Sequence, residues 1–414
     1  MKWRRPIGIA LVASLVCSGA TPAAAQALSQ RGFAEARVTL FPQEAPPDEE
    51  RAVLDLMARE EVFVKPAAWL QFAGGLDLRQ NTHDQVDNSW HVDFTDRGTM
   101  RPAISVRRLS ATIARGPFTV DLGKQFIRWG KADIVTPTDR FAPRDFLNVI
   151  DTEYLGVTAA RGVAQFGAHT IDAVWSRFTP SRIPLINQRW APQPATPIPI
   201  TVAGSEAVFP DGSQVGLRYS HVARRAEYSL SVFDGFNHLP NIEAGAAPQP
   251  GAITLVRSYP TMRSYGGDVA VPTPWFTVKG EAAYSSSDTP ATDDYVLYVI
   301  QLERLSGEWN FSGGYAGEVV TTRRAVATFA PDRGLTRAIV ARAGYTIDSN
   351  RSIAVEGAVR QDGEGFYSKV EYSQARGQHW RATLSGIVIA GSPDDFLGQY
   401  DRNSHVGVAL RYSF

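Results

Sequence analysis

Charged and aromatic residues crowd one stretch of this sequence, from Gly123 to Phe146. It carries Trp129, Lys131, Asp133, Asp139, Arg140, Arg144 and Asp145 among two prolines and three phenylalanines. Arg and Asp so close together can form charge-assisted, sometimes bidentate bonds. Prolines narrow the conformations of a segment that would otherwise be mobile. The chemistry is that of a polar loop that locks itself, and that reading is preferred to direct contact with a solute. A second polar stretch, 179–211, is proline-rich and contributes Arg182, Arg189 and Trp190.

Single charges of both signs recur elsewhere at alternate positions: Arg108, Asp121, Arg218, Asp268, Lys279, Glu281, Glu308, Glu356, Arg360, Lys369, Glu371, Arg381 and Arg411. Opposed acids and bases around a wet passage order water, pass small polar solutes, and set ion preference by their balance. They could also do no more than pair across strands. Catalytic chemistry finds little support. The histidines are scattered, and His83, Asp84, Asp87 and His91 lack recognised metal-ligand spacing. Nucleophile-elbow and zinc-protease motifs are absent. Neither an enzyme, a cofactor nor a metal is expected.

The elements that must position these charges are strands. Val406, Val408, Leu410, Tyr412 and Phe414 alternate with His405, Gly407, Ala409, Arg411 and Ser413, a period of two that gives one oily and one polar face. The same alternation runs through 309–319, 214–220, 276–284 and 353–360. Short links near residues 115–117, 164–166, 223–225, 272–274, 305–307, 348–350 and 376–378 separate longer polar segments. The pattern predicts an all-β fold: a transmembrane antiparallel up-and-down barrel over 65–414, with about sixteen strands and fourteen as the alternative count. Such barrels put short turns in the periplasm and long loops outside, with an oily outer face. Phe118, Trp275, Trp309 and Trp380 each follow a short turn closely, where a membrane-interface girdle would lie.

Lys2, Arg4, Arg5, the apolar run 7–16 and Ala23 to Ala25 read as an export signal over residues 1–25. Its removal takes Cys17 away and leaves 39 basic residues against 42 acidic ones, a balance that argues against a nucleic-acid partner. No later stretch approaches the roughly 20 apolar residues of a membrane-spanning helix. Residues 26–64 are expected to form a separate periplasmic segment. Its helix would open at Pro46 and Pro47, with Val53, Leu54, Met57 and Ala58 on one side.

An aromatic residue ending an alternating strand resembles the C-terminal signal of bacterial outer-membrane β-barrels, carried here by Val408, Leu410, Tyr412 and Phe414. The resemblance implies recognition by the barrel assembly machinery and residence among outer-membrane lipids, with a homotrimer as a further expectation. The segment 123–146, with Gly-Lys-Gln, Trp-Gly, Pro-Thr-Asp and Pro-Arg-Asp in order, is similar to poorly characterised porin-like families, including those grouped with alginate-export proteins. It would be a loop at the pore mouth. In sixteen-stranded general porins the loop after the fifth strand folds inward, and 179–211 resembles it in place and length, without that loop's acidic Pro-Glu-Phe-Gly-Gly motif. The implied function is passive diffusion of small polar or charged solutes across the outer membrane. The alternatives are an export barrel for an acidic exopolysaccharide and a non-conducting scaffold or adhesin.

Overall fold

The computed structural model describes residues 28–45, 48–185, 188–192, 201–325 and 329–414. Among them eighteen antiparallel strands close into one barrel. The first six are β1 (Leu28–Leu40), β2 (Ala52–Ala67), β3 (Leu70–Asn81), β4 (Arg101–Arg115), β5 (Phe118–Gln125) and β6 (Val157–Phe166). Then come β7 (His169–Arg177), β8 (Ser213–Val222), β9 (Glu227–Phe236), β10 (Thr261–Pro272), β11 (Thr277–Ser286) and β12 (Asp294–Ser306). The circle ends with β13 (Trp309–Thr322), β14 (Ala338–Asp348), β15 (Arg351–Arg360), β16 (Gly365–Arg376), β17 (Trp380–Gly391) and β18 (His405–Ser413). Each strand pairs with its neighbour in sequence, and β18 pairs back onto β1 from Leu40↔Val406 to Phe33↔Ser413.

Alternation sets which side chains face out. Val406, Val408, Leu410 and Tyr412 are exposed on the outer wall, while His405, Gly407 and Ala409 are buried inside. Trp309, Phe311 and Val319, Val215 and Leu217, and Val355 and Val359 likewise face outward. Closure leaves no strand edge in this wall, which is what a non-helical chain needs in lipid. No helix among the described residues is long and apolar enough to cross a membrane. Phe118, Trp275, Trp309, Trp380, Tyr412 and Phe414 are all exposed at the end bearing the short turns.

Two strands more are present than the sixteen expected, because the segment before residue 65 belongs to the wall. β1 and β2 form a hairpin in continuous register from Leu28↔Val64 to Leu40↔Ala52. No helix occupies 48–58: Leu54 and Ala58 face out, Val53 and Met57 face in, and β2 begins at Ala52. A four-residue recurrence of apolar positions fits a helix face and a strand alike, and adjacent Glu60 and Glu61 mask the alternation in sequence. The Pro46–Pro47 opening and the export signal lie outside the described residues. With the extra hairpin counted, 179–211 falls in the fourth long loop rather than the third. The second short link lies at Gly167, slightly beyond its expected place.

Candidate functional site

The bore of an eighteen-stranded barrel exceeds what wall side chains can fill, and here the chain's own loops enter it. The loop between β5 and β6 (126–156) leaves the wall just after a glycine with positive φ. Gly123 sits at φ 112°, where a Cβ would collide with the Leu109 carbonyl oxygen. Lys124, just after it, is buried with its ammonium 2.6 Å from Asp96. Ile127, Trp129 and Phe141 then pack against the inner faces of β6 to β12, on Val157, Val174, Phe233 and Leu297 among others. Trp129 and Phe141 meet edge to face at 5.2 Å, and Phe141 meets Phe233 the same way at 5.0 Å. Gly216 on β8 makes room: a Cβ there would lie 2.6 Å from the Phe141 ring. Each buried aromatic contributes roughly 1.5–3 kcal/mol of transfer free energy.

Polar anchors fix the loop's backbone. Glu281 on β11 is almost fully buried and accepts the N–H groups of Lys131 (2.9 Å), Ala132 (3.1 Å) and Thr138 (2.8 Å), as well as the Thr138 hydroxyl (2.8 Å). Gln301 on β12 accepts the Asp133 N–H at 2.9 Å and donates to its carboxylate at 2.8 Å. Asp139 accepts the N–H groups of Trp129 and Gly130, and the Trp129 indole donates to Asp172 on β7 at 3.0 Å. Lys131 reaches Glu227 and Asp268, and Lys279 pairs with both Asp133 and Glu303. Lys279 lies two residues from the turn end of β11, so the loop's tip descends most of the inner wall.

Beyond that hairpin the loop crosses to the opposite wall. Val149 packs with Ile387 and Ile389, and Asp151 pairs with Lys369 on β16 at 2.6 Å. Glu153 accepts from Arg79 at 2.7 Å and Arg59 at 3.3 Å, while Arg59 holds Asp77 at 2.7 Å. Asp145 takes Arg101 from β4 at 2.9 Å and Arg182 from the fourth loop at 2.7 Å. Burial alone would raise both carboxyls. The surrounding guanidiniums more than offset it, holding Asp145 far below the usual range and Glu153 down at about 2. Asp145 and Asp77 are buried while Glu153 keeps one side open to a cavity, and each carboxylate is multiply bonded, the condition under which interior ion pairs persist.

Of the fourth loop (178–212), residues 178–185 and 188–192 form a strap over this arrangement. Arg182 joins Asp145 to Asp96. Further on, Arg189 is fully buried with its guanidinium 3.7 Å above the Phe41 ring. It donates to the carbonyls of Gln43, Asp48, Glu50 and Arg402. Trp190 packs against Tyr400 and His405. The strap therefore starts at β7 and ends on the loops beside β1 and β18, far around the ring. Residues Thr201–Val208 then build a small three-stranded sheet with Asn241–Ala246 and Ala252–Ser258 of the fifth loop.

No family model matches the sequence, and no curated protein matches it. Solved structures do match its shape. OccK9 (OpdG) of Pseudomonas aeruginosa is 9% identical with a TM-score of 0.56, over 94% of this chain and 97% of that one. The outer membrane protein OpdK of Pseudomonas aeruginosa is 9% identical, with a TM-score of 0.55 over 93% and 98%. A BenF-like porin from Pseudomonas fluorescens is 8% identical, with a TM-score of 0.54 over 94% and 97%. This is the porin fold. At such identity the likeness is one of architecture.

Within that porin fold, the charges singled out in the sequence fall as follows. Arg108, Asp121, Arg218, Asp268, Lys279, Glu281, Glu356, Arg360, Lys369, Glu371 and Arg411 sit at inward positions of the register. Most have partners. Arg218 meets Asp268 at 2.8 Å, Glu356 meets Arg342 at 2.9 Å, Arg360 meets Asp395 at 2.9 Å, and Arg411 meets Glu35 at 2.6 Å. Arg381 is also inward but exposed at the turn end. Glu308 lies in a short turn, exposed, and not on the wall. The 126–156 loop is not held mainly by its own ion pairs: Arg128–Asp139 is internal, but Lys131, Asp133 and Asp145 reach outside it. Arg140 donates to the Pro137 carbonyl, and Arg144 to Thr136 and Tyr154.

His83 turns to Asp48, while Asp87 and His91 both bond to Ser89. Arg59, Asp77, Arg79, Arg101, Glu153, Arg161 and Asp172 also belong to these networks, and the sequence does not set them apart. For Arg59, Asp77 and Arg79 the available signal was their alternation on two strands, β2 and β3. Cavities with polar linings lie beside the docked loop. One, of about 360 Å³, lies toward β1–β3 and β16–β18, with Arg37, Arg79, Glu153, Lys369 and Glu371 around it. Another, of about 320 Å³, has Asp133, Arg140, His238, Arg342 and Glu356 around it.

Proposed function

We propose that this protein is an outer-membrane channel through which small hydrophilic solutes diffuse down their gradient. One observation carries the reading. A closed barrel with an oily outside and a charged inside carries a loop anchored on two walls, and cavities of about 360 and 320 Å³ remain beside that loop. Lys369 and Glu371 around one cavity, and Arg342 and Glu356 around the other, line the path, with acids and bases near one another so that a polar solute can exchange water for protein partners. Residues 1–25 direct export, and Val408, Leu410, Tyr412 and Phe414 present the strand that the assembly machinery reads.

Single-channel conductance of the folded protein in a planar bilayer tests this, with and without residues 185–205. Steady steps are expected, and they should grow on deletion because Arg189 and Trp190 no longer hold the strap. Steps unchanged by deletion would place the narrow point at the 126–156 loop alone. Silence from a correctly folded, heat-modifiable barrel would overturn the channel.

A further inference from the structure

On the outer wall between β8 and β12 lies a shallow apolar groove of about 590 Å³. Gly267 and Ala282 form its floor, with Leu230, Tyr265 and Tyr284 around it and Tyr219 at one corner. The register explains it: Tyr219, Leu230, Gly267 and Ala282 are successive partners in one outward row, and the middle of that row lacks large side chains. The next outward row toward the short turns is His169, His221 and Tyr228. There the His169 Nδ1 lies 2.7 Å from the Tyr219 hydroxyl and 3.2 Å from the His221 Nδ1. The ring Nε2 atoms of both histidines have no protein partner among the described residues. The turn below adds Arg224 and Arg225, exposed and without an ion pair among the described residues. The nearby Glu227 is committed to Lys131 on the inside.

We infer that this groove and its basic lower rim are a binding site for one anionic phospholipid of the periplasmic leaflet. An acyl chain lies in the groove over Gly267 and Ala282, and the phosphate meets Arg224, Arg225 and the Nε2–H of the imidazole that accepts at Nδ1 in the His169–His221 contact. The two parts fit one amphiphile because they adjoin along the same strands, apolar toward the membrane and cationic at the interface. Free phosphate would leave the groove unused, and a zwitterionic lipid would leave the arginines without a net anion. The inference rests on the outer-membrane reading above. The site is on the outer face, away from the solute path.

The test is native mass spectrometry of the full chain in mild detergent, titrated with phosphatidylglycerol or with phosphatidylcholine of matched chains. Phosphatidylglycerol should be retained preferentially. Because each basic residue near an anionic surface strengthens binding several-fold, the double variant Arg224→Ala/Arg225→Ala should weaken it roughly thirtyfold. Ala282→Phe should also release it, by filling the groove from a position that already bears a Cβ. Inorganic phosphate should not compete. Equal retention of both lipids, with channel steps intact, would overturn the site and leave the channel standing. Displacement by inorganic phosphate would overturn the acyl-chain half. An Ala282→Phe variant that splits an oligomer without altering lipid retention would reveal a seam between copies instead, also overturning it. Retained preference without any channel steps would support the site and sink the channel.

Discussion

Glu281 offers the sharpest test of how the passage is narrowed. Its two carboxylate oxygens divide four donors: one takes the Thr138 N–H and hydroxyl, the other the Lys131 and Ala132 N–H groups. Glu281→Gln preserves size but turns one oxygen into an amide donor facing two other donors. Hydrogen bonds to a charged group are worth about 1.5–3 kcal/mol each, so losing two costs roughly 3–6 kcal/mol. At 1.4 kcal/mol per decade, that shifts the docked-to-undocked ratio of the 130–138 hairpin by roughly two to four orders of magnitude. The flanking contacts through Trp129–Asp172 and Asp145–Arg182 remain, so the hairpin should loosen while the barrel stays folded. The readout is single-channel recording: the variant should show rapid fluctuations toward larger conductance, and Glu281→Ala should show them more often. Steps in Glu281→Ala as quiet and as small as in the parent, from a heat-modifiable barrel, would refute the account of the loop as a pinned constriction.

Arg189→Ala should free the strap, exposing 178–192 to limited proteolysis and enlarging the channel; an equally protected strap would count against the anchor. Asp145 and Glu153 both have depressed pKa values, so their contribution is complete above the ordinary carboxylate range. That of Glu153 is lost only as pH falls from 4.5 toward about 2. Conductance should accordingly stay flat from neutrality to about pH 5 and rise only in stronger acid, which a pH series on one bilayer would check. Substituting Phe414→Ala should lower the yield of folded barrel in outer-membrane fractions, seen as loss of the heat-modifiable band. Deleting residues 28–67 should abolish folding altogether, since it removes two wall strands; a stable barrel from that variant would contradict the closure between β1 and β18.

The wall was legible in sequence wherever large apolar residues alternated with polar ones, as in β13 and β18, because burial in lipid enforces that period on every residue. It failed at β1, where the outward row includes Gln30, Gly32, Ala34 and Ala36, too small or polar to register as a membrane face. The density of charge around Asp139 and Asp145 did mark the loop that enters the lumen. What it could not reveal was direction. Glu281 and Asp139 look alike in sequence, yet one holds the loop from the wall and the other from within. Gly216 reads as an ordinary strand residue until the Phe141 ring is seen against it. Contacts between residues so distant in the chain leave no local pattern.

The seam between β1 and β18 also constrains the order of events in assembly. Gly32 exchanges both backbone hydrogen bonds with Phe414, at 2.9 and 3.0 Å. During synthesis, therefore, the first strand emerges long before its second partner exists. Until then β1 presents a row of unpaired amides and carbonyls, a template for any other extended chain, and joining such distant segments is slow. Pairing with β2 protects one edge of β1 at once, so only the edge reserved for β18 stays open, and the time until β18 arrives sets how long that edge can mispair, whatever passes through the finished barrel.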